Sequence, residues 1–335
     1  MRRESKTVVE KLDFENFFKG IDQSAEALQN ETEFTYLEAL IHTGELLFKG
    51  ETNLHLSELA LKKFKNSLSN IDLNKISKEQ IRKAFQLAIL KGMKEATQSN
   101  HAMTPDAVAL FISYLINKLT EEMEHFRILD PAVGSGNLLT AILNQSTKSI
   151  SSYGIEPDET LLQLAYVSAN LQQHNVELFH QDALMDIMVD PVDIVVADLP
   201  IGHYPNKENS NRYKLKAKEG LSFTHHLMIE QSINYTKEGG FLLFLIPNFL
   251  FESEQAQQLH TYIKESTYIY SLLQLPKSMF KDEKHAKSIF ILRKKADGIK
   301  APSQALLAEL PSFSNKTALS EMIKSMNNWL DAYIK

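Results

Sequence analysis

Residues 128–143 read ILDPAVGSGNLLTAIL, and three kinds of local structure follow one another there without a break. The apolar start predicts a strand, Gly134-Ser135-Gly136 a tight turn, and the apolar run after Asn137 a helix. Glycine permits positive φ and a close approach of backbone to ligand, and a helix begins with unpaired N–H groups. A plain strand-to-helix turn would look the same, so the stretch takes its meaning from what surrounds it.

Twenty residues beyond Gly136, Glu156 ends the next strand candidate, SSYGIEP (151–157), where a carboxylate can accept hydrogen bonds from two ribose hydroxyls. Asp182, in VELFHQDA (176–183), ends the third candidate and could bond an adenine amino group. Asp198, in DIVVADLPIGHYP (193–205), ends the fourth. Any one of these reads most simply as a solvated acid. With Asp130 they form a series at successive strand ends, the rim where α/β sheets bind ligands, and the series points to a nucleoside. A dinucleotide shares this geometry. However, Leu139 stands where G-x-G-x-x-G needs its third glycine, and Asp130 ahead of the turn suits a cationic sulfonium and amino group better than a diphosphate.

Further along, GGFLLFLIPN (239–248), IYSLLQLP (269–276) and KSIFILRKK (287–295) are strand candidates separated from the earlier ones by helical or loop segments. This alternation predicts an α/β fold with a mostly parallel sheet covered on both faces. The loop KSMFKDEKHA (277–286) is too short for a helical crossover, so the last two of these strands should form an antiparallel hairpin. A further strand is expected at ALLAELPSF (305–313) and a final helix at ALSEMIKSMNNWLDAYI (318–334), with Trp329 packing rather than catalysing. Before residue 100 the pattern is helical. EFTYLEALIHTGELLF (33–48) spaces Phe34, Leu37, Leu40, Ile41 and Leu47 at helical intervals, and Ser77 with Gln80 forms a capping-box arrangement. Another helix should start at Thr104 and Pro105. The expected division is a helical N-terminal domain at 1–100, an α/β domain at 101–300, and a C-terminal strand and helix packing on the core at 301–335.

Composition narrows the class. The chain has 335 residues, 43% of them hydrophobic, enough for one large domain and a smaller one. No apolar run approaches the roughly 20 residues that span a bilayer. The start MRRESKTVVEKLDFENFF is too charged for a secretory segment, which predicts a cytoplasmic protein with no membrane partner. With no cysteine, thiol nucleophiles and thiolate metal sites are excluded, and the 11 histidines show no metal-ligand spacing beyond the adjacent pair in THH (224–226). A net charge of −6 argues against a surface built wholly as a nucleic-acid clamp and leaves room for a local patch.

At these motifs the chain resembles the class I S-adenosylmethionine-dependent methyltransferases, a Rossmann-like fold. More narrowly it resembles the adenine-N6 DNA methylases related to the modification subunits of type I restriction systems. LDPAVGSGNLL (129–139) is similar to the family's Asp-Pro-Ala-x-Gly-Ser-Gly signature, and TPDAVALFISYL (104–115) to its Thr-Pro segment, which closes over the methionine end of the cofactor. GIEPD looks like the ribose-binding acid, QDAL like the adenine contact, DLPIGHYP like the catalytic tetrapeptide, and LLQLPKSMF (272–280) like the loop before the last hairpin. The resemblance implies S-adenosyl-L-methionine as cofactor, held by Thr104, Pro105, Asp130, Pro131, Ala132, Gly134, Ser135, Gly136, Asn137, Glu156, Pro157, Asp182, Ala183 and Asp198.

In the family's Asn/Asp-Pro-Pro-Tyr/Phe tetrapeptide, the first side chain and a neighbouring backbone carbonyl accept hydrogen bonds from the target amino group, and the aromatic stacks on a flipped base. The implied catalytic residues are Asp198, Leu199 and Pro200, but Ile201 has no π-face, and stacking worth about 1–3 kcal/mol per base is forfeited. Tyr204 is expected to supply the missing ring if the loop folds back; a packed loop tyrosine is the alternative. The segment NKENSNRYKLKAKEG (206–220), with Lys207, Arg212, Lys214, Lys216, Lys218 and Tyr213, is expected to be a flexible basic loop ordered by DNA phosphate, or simply solvated surface. No zinc finger, helix-turn-helix signature or added recognition domain is visible, which implies a separate specificity subunit or a substrate other than duplex DNA. Two other readings stay open: a methyltransferase acting on RNA, protein or a small molecule, and a non-catalytic cofactor- or nucleic-acid-binding relative.

Overall fold

The computed structural model describes residues 2–52, 54–95 and 103–334. The helices are α1 (Arg2–Glu31), α2 (Tyr36–Lys49), α3 (Glu58–Asn66), α4 (Lys78–Glu95), α5 (Asp106–Leu119), α6 (Asn137–Gln145), α7 (Glu159–Leu171), α8 (Lys207–Ser210), α9 (Thr224–Asn234), α10 (Ala256–Ser266) and α11 (Lys316–Tyr333). The strands are β1 (His125–Asp130), β2 (Ser149–Glu156), β3 (Val176–His180), β4 (Val192–Asp198), β5 (Thr236–Pro247), β6 (Thr267–Gln274), β7 (Lys287–Lys294) and β8 (Leu306–Glu309).

Every strand candidate is a strand, and together they make one α/β sheet in the order β3-β2-β1-β4-β5-β7-β6-β8. β2, β1, β4 and β5 run parallel, β7 is antiparallel to both β5 and β6, and β8 lies parallel to β6. The expected hairpin exists, and its second strand inserts between β5 and β6 because the short loop 277–286 folds as two 3₁₀ turns instead of a crossover helix. β4 and β5 are buried along nearly their whole apolar runs, as central strands covered on both faces must be.

Internal contacts divide the chain into two units. One comprises Met1–Pro105, Val133–Gln145 and Glu156–His180; the other Asp106–Ala132, Ser146–Ile155 and Gln181–Lys335. In the first, the N-terminal helices share a core with α7, built on Phe17, Ile21, Leu40, Phe85, Leu164 and Val167. Contact between α2 and α7 is close: a Cβ at Gly44 would fall 2.2 Å from Val167 Cγ1, so only glycine fits. α2 begins at Tyr36 behind a Thr35/Glu38 capping box, and its buried face is Tyr36, Ala39, Leu40, Ile41, Thr43, Gly44 and Leu46. Phe34, Leu37 and Leu47, expected on that face, are only partly buried. The Ser77/Gln80 capping box forms as expected, at 2.9 and 3.3 Å. The domain boundary expected at residue 100 lies outside the described residues.

In the second unit the core is the sheet itself, with Phe126, Ile128, Val195, Phe244, Phe290 and Leu292 buried. Trp329 of α11 packs edge-on to Tyr270 and donates to the Gln304 carbonyl at 3.1 Å. Among the described residues no helix is long and apolar enough to cross a membrane, and no cluster of acids and histidines could hold a metal ion.

Candidate active site

The glycine turn has two different glycines. Gly136 (φ +80°) is hemmed in, since an added Cβ would meet Ala165 Cβ at 3.1 Å. Gly134 (φ +53°) faces open space with nothing within 4 Å of such a Cβ, as a backbone that receives a ligand must. The Gly134 N–H donates to Glu156 Oε2 at 3.0 Å, and Oε1 accepts the Asp158 N–H, also at 3.0 Å. Both carboxylate oxygens are thus tied to backbone N–H groups, which orients Glu156 at the end of β2. Pro157 next to it is exposed, and its carbonyl lies 2.9 Å from His180 Nε2.

Asn137 opens α6 and ties down two further segments. Its Nδ2 donates to the Thr104 carbonyl at 3.1 Å, and its Oδ1 accepts from Arg82 Nη1 at 2.7 Å. Arg82, on α4, is 1% exposed and forks onto Glu79 at 2.8 and 2.6 Å. Burial alone would raise the Glu79 carboxyl, but the Arg82 guanidinium overrides it and holds the group below its usual range. Nothing in the local sequence marks Arg82 as a support of the signature turn 55 residues later. Removing it leaves the half-buried Glu79 carboxylate with only the longer pairing to Lys83 at 3.6 Å, so Arg82→Ala should destabilise the protein by about 3 kcal/mol in chemical denaturation.

In the second unit Asp130 is almost wholly buried at the end of β1, where it accepts the Ala132 N–H at 3.1 Å. Pro131 is also buried, Ala132 partly exposed. Asp198 closes β4, whose parallel pairing with β1 puts both carboxylates at the same edge of the sheet. It is 15% exposed and ion-paired with Lys287, the first residue of β7. Leu199 is buried and donates to the Leu245 carbonyl at 3.2 Å, and Pro200 is exposed. Ile201 is 51% exposed. The chain then folds back on α9: Thr224 N–H donates to the Gly202 carbonyl at 2.9 Å, and Tyr204 N–H to the Ser222 carbonyl at 2.8 Å.

Two expectations need correction. Tyr204 does not replace the missing aromatic: it is 5% exposed, donates its hydroxyl to Asp182 Oδ2 at 2.5 Å and accepts from Asn209 Nδ2 at 2.9 Å. Burial, reinforced by Asp182, pushes its pKa up to about 12. The ring is packed inward and offers no stacking face. Asp182 itself stands two residues past β3, where its other oxygen accepts the Leu184 N–H at 2.9 Å, so it closes a turn as well as anchoring Tyr204. Ala183 beside it is buried, its carbonyl accepting from Gln231 Nε2 at 2.9 Å.

The second correction concerns 206–220, which is pinned rather than free. Asn206 caps α8, Asn209 Nδ2 donates to the Leu184 carbonyl at 2.9 Å, and the Tyr213 hydroxyl donates to the same carbonyl at 2.6 Å. The Glu230 carboxylate accepts the N–H groups of Lys214 and Leu215 at 2.9 and 2.8 Å. The side chains of Lys207, Lys214, Lys216 and Lys218 do stand exposed, while Arg212 is paired with Asp186.

Behind the loop lies a set of rings. Phe223 stacks on His203 at 4.8 Å and on His225 at 5.1 Å, with His226 4.9 Å from His225. Burial lowers the pKa of His225 to about 3 and of His226 to about 4. Below pH 6.5 the unfolded chain therefore binds protons that the folded one refuses, so stability present above pH 6.5 is lost as pH falls. The loss is on the order of 1 kcal/mol per histidine per pH unit. Melting temperatures should fall between pH 7 and pH 5, and His225→Phe should flatten that slope.

Comparison with known proteins agrees with this geometry. Residues 15–93 match the YtxK N-terminal helical domain, and residues 87–317 match the N-6 DNA Methylase profile. The uncharacterized protein YtxK of Bacillus subtilis (strain 168) is 49% identical over 315 residues, 93% of this chain and 96% of that protein. A crystal structure from Listeria monocytogenes, provisionally assigned as a class I S-adenosylmethionine-dependent methyltransferase, has 39% identity and a TM-score of 0.89, covering 95% of this chain and 99% of that one. The type I restriction enzyme MpnII methylase subunit of Mycoplasma pneumoniae is 21% identical over 270 residues, 71% of this chain and 49% of the subunit. From the signature turn, the strand-end acids and these matches together, the chain belongs to the N-6 DNA methylase family.

Proposed function

We propose that the chain methylates the exocyclic N6 of adenine in DNA. It is an S-adenosylmethionine-dependent methyltransferase, as its family is, and the proposal concerns the acceptor and the residues that serve it. The cofactor supplies an electrophilic methyl group on its sulfonium. The open space before Gly134 and the Glu156 carboxylate bonded to the Gly134 N–H beside it fit such a nucleoside. In this reading Glu156 takes the ribose hydroxyls. Thr104, Pro105, Asp130, Pro131, Ala132, Ser135, Gly136, Asn137, Pro157, Asp182 and Ala183 complete the cofactor site, with Asp182 sharing its carboxylate with Tyr204.

The observation that carries the acceptor is the part-exposed Asp198 carboxylate at the end of β4, followed by Leu199 and Pro200. A carboxylate and a backbone carbonyl together accept the two hydrogens of an amino group, turning its lone pair toward the methyl. A separate specificity subunit would supply sequence reading, with Lys207, Lys214, Lys216 and Lys218 meeting phosphate. We place this activity in the cytoplasm and assign it to residues 101–300, with 1–100 as a helical domain and 301–335 as a C-terminal addition.

One observation favours a second reading, an acceptor in RNA, protein or a small molecule: Ile201 is exposed and Tyr204 is turned inward, so neither offers a face for a flipped base. Incubation with methyl-labelled cofactor and separate pools of DNA, RNA and protein decides between them. Label in DNA is the expected result. Label confined to another pool moves the acceptor, and no label anywhere favours a non-catalytic relative.

A further inference from the structure

Lys287 reaches Asp198 from two strands away. Asp198 pairs with Leu245 across β4 and β5, and Lys287 pairs with Pro247 across β5 and β7, so the lysine spans the whole of β5 to place its ammonium on the carboxylate. Both side chains are mostly shielded, 15% exposed for Asp198 and 19% for Lys287, and both keep some contact with solvent. A carboxylate only accepts hydrogen bonds and an ammonium only donates them, with three N–H groups. Among the described residues the Lys287 ammonium bonds to Asp198, which leaves two of its three N–H groups for a ligand.

We propose that Lys287 is a specificity-determining residue of the acceptor site, donating to the ring nitrogen beside the amino group that Asp198 receives. This rests on the reading of Asp198 as the amino acceptor. An acceptor alone would take any amine, including a protonated alkylamine, whose positive charge it would attract. The ammonium beside it reverses that preference, because like charges at contact distance repel in a partly desolvated site. What complements a donor next to an acceptor is a neutral amino group attached to a carbon that also bears a lone pair on nitrogen. Adenine presents that face as N6–H beside N1. A glutamine side chain presents a related face through its carbonyl, and the family match favours the nucleobase.

The test couples a change in the protein to a change in the substrate. Single-stranded oligonucleotide pools are synthesised with adenine or with 1-deazaadenine, which keeps the amino group and lacks N1. Wild-type protein should favour adenine by about 10-fold or more in kcat/KM, the range of a hydrogen bond to a charged donor. Lys287→Met should reduce that preference to about 2-fold or less, because the lost partner no longer matters. Should Lys287→Met melt abnormally, Lys287→Gln, which keeps a donor for Asp198, reads the same ratio and should give an intermediate value. An equal preference in wild type and both variants overturns the role of Lys287 while leaving adenine methylation standing. No transfer to either DNA pool, or transfer to protein glutamine instead, overturns the acceptor assignment and this inference with it.

Discussion

Asp198→Ala is expected to lower methyl transfer by about a hundredfold or more while changing S-adenosylmethionine affinity by less than about threefold. The side chain closes β4 and is part-exposed, so its work in this account is on the acceptor rather than on the fold. On the proposed reading, losing it removes the hydrogen bond that turns the amino lone pair toward the methyl, an interaction needed in the transition state. The fold should tolerate the change, because Lys287 retains some solvent contact and its ammonium can turn to water. Single-turnover kinetics beside calorimetry would separate the two effects, and a variant that retains its activity would place the acceptor elsewhere.

Glu156→Ala should act on the other half of the reaction, weakening cofactor binding by about 30-fold or more, with two charge-assisted hydrogen bonds to ribose hydroxyls lost. The same carboxylate holds the N–H groups of Gly134 and Asp158, so its removal also loosens the glycine turn. Glu156→Gln keeps an acceptor oxygen and should fall between wild type and alanine. Calorimetric titration with S-adenosylmethionine and with its demethylated product checks both variants. An affinity within threefold of wild type for Glu156→Ala would mean that the ribose is held by something else.

The sheet was legible because its strands are apolar runs punctuated by turn residues, a local pattern that survives folding. The antiparallel end was legible too, since loop 277–286 cannot hold a crossover. Side-chain pairings across long separations were not. Arg82 meets Asn137, Asp182 meets Tyr204 and Lys287 meets Asp198 only once helix packing and strand register are set, and no periodicity encodes them. Tyr204 looked available because the loop around it is polar. The signal that it packs lies in Asn206 and Asn209, short amides suited to capping and to satisfying buried carbonyls. The same two residues explain why 206–220 is pinned: its charges point outward while Asn209, Tyr213 and Leu215 point in. For the acceptor the consequence is specific. With Tyr204 withdrawn, the proposed reading leaves recognition to the polar pair Asp198 and Lys287, so discrimination should rest more on hydrogen bonding than on stacking.

The most direct measurement is nucleoside analysis of DNA after incubation with methyl-labelled S-adenosylmethionine, for wild type and Asp198→Ala side by side. The account predicts label in N6-methyldeoxyadenosine with the wild-type protein and a loss of about a hundredfold with the variant. Label in a different nucleoside, or equal label from both proteins, would contradict it.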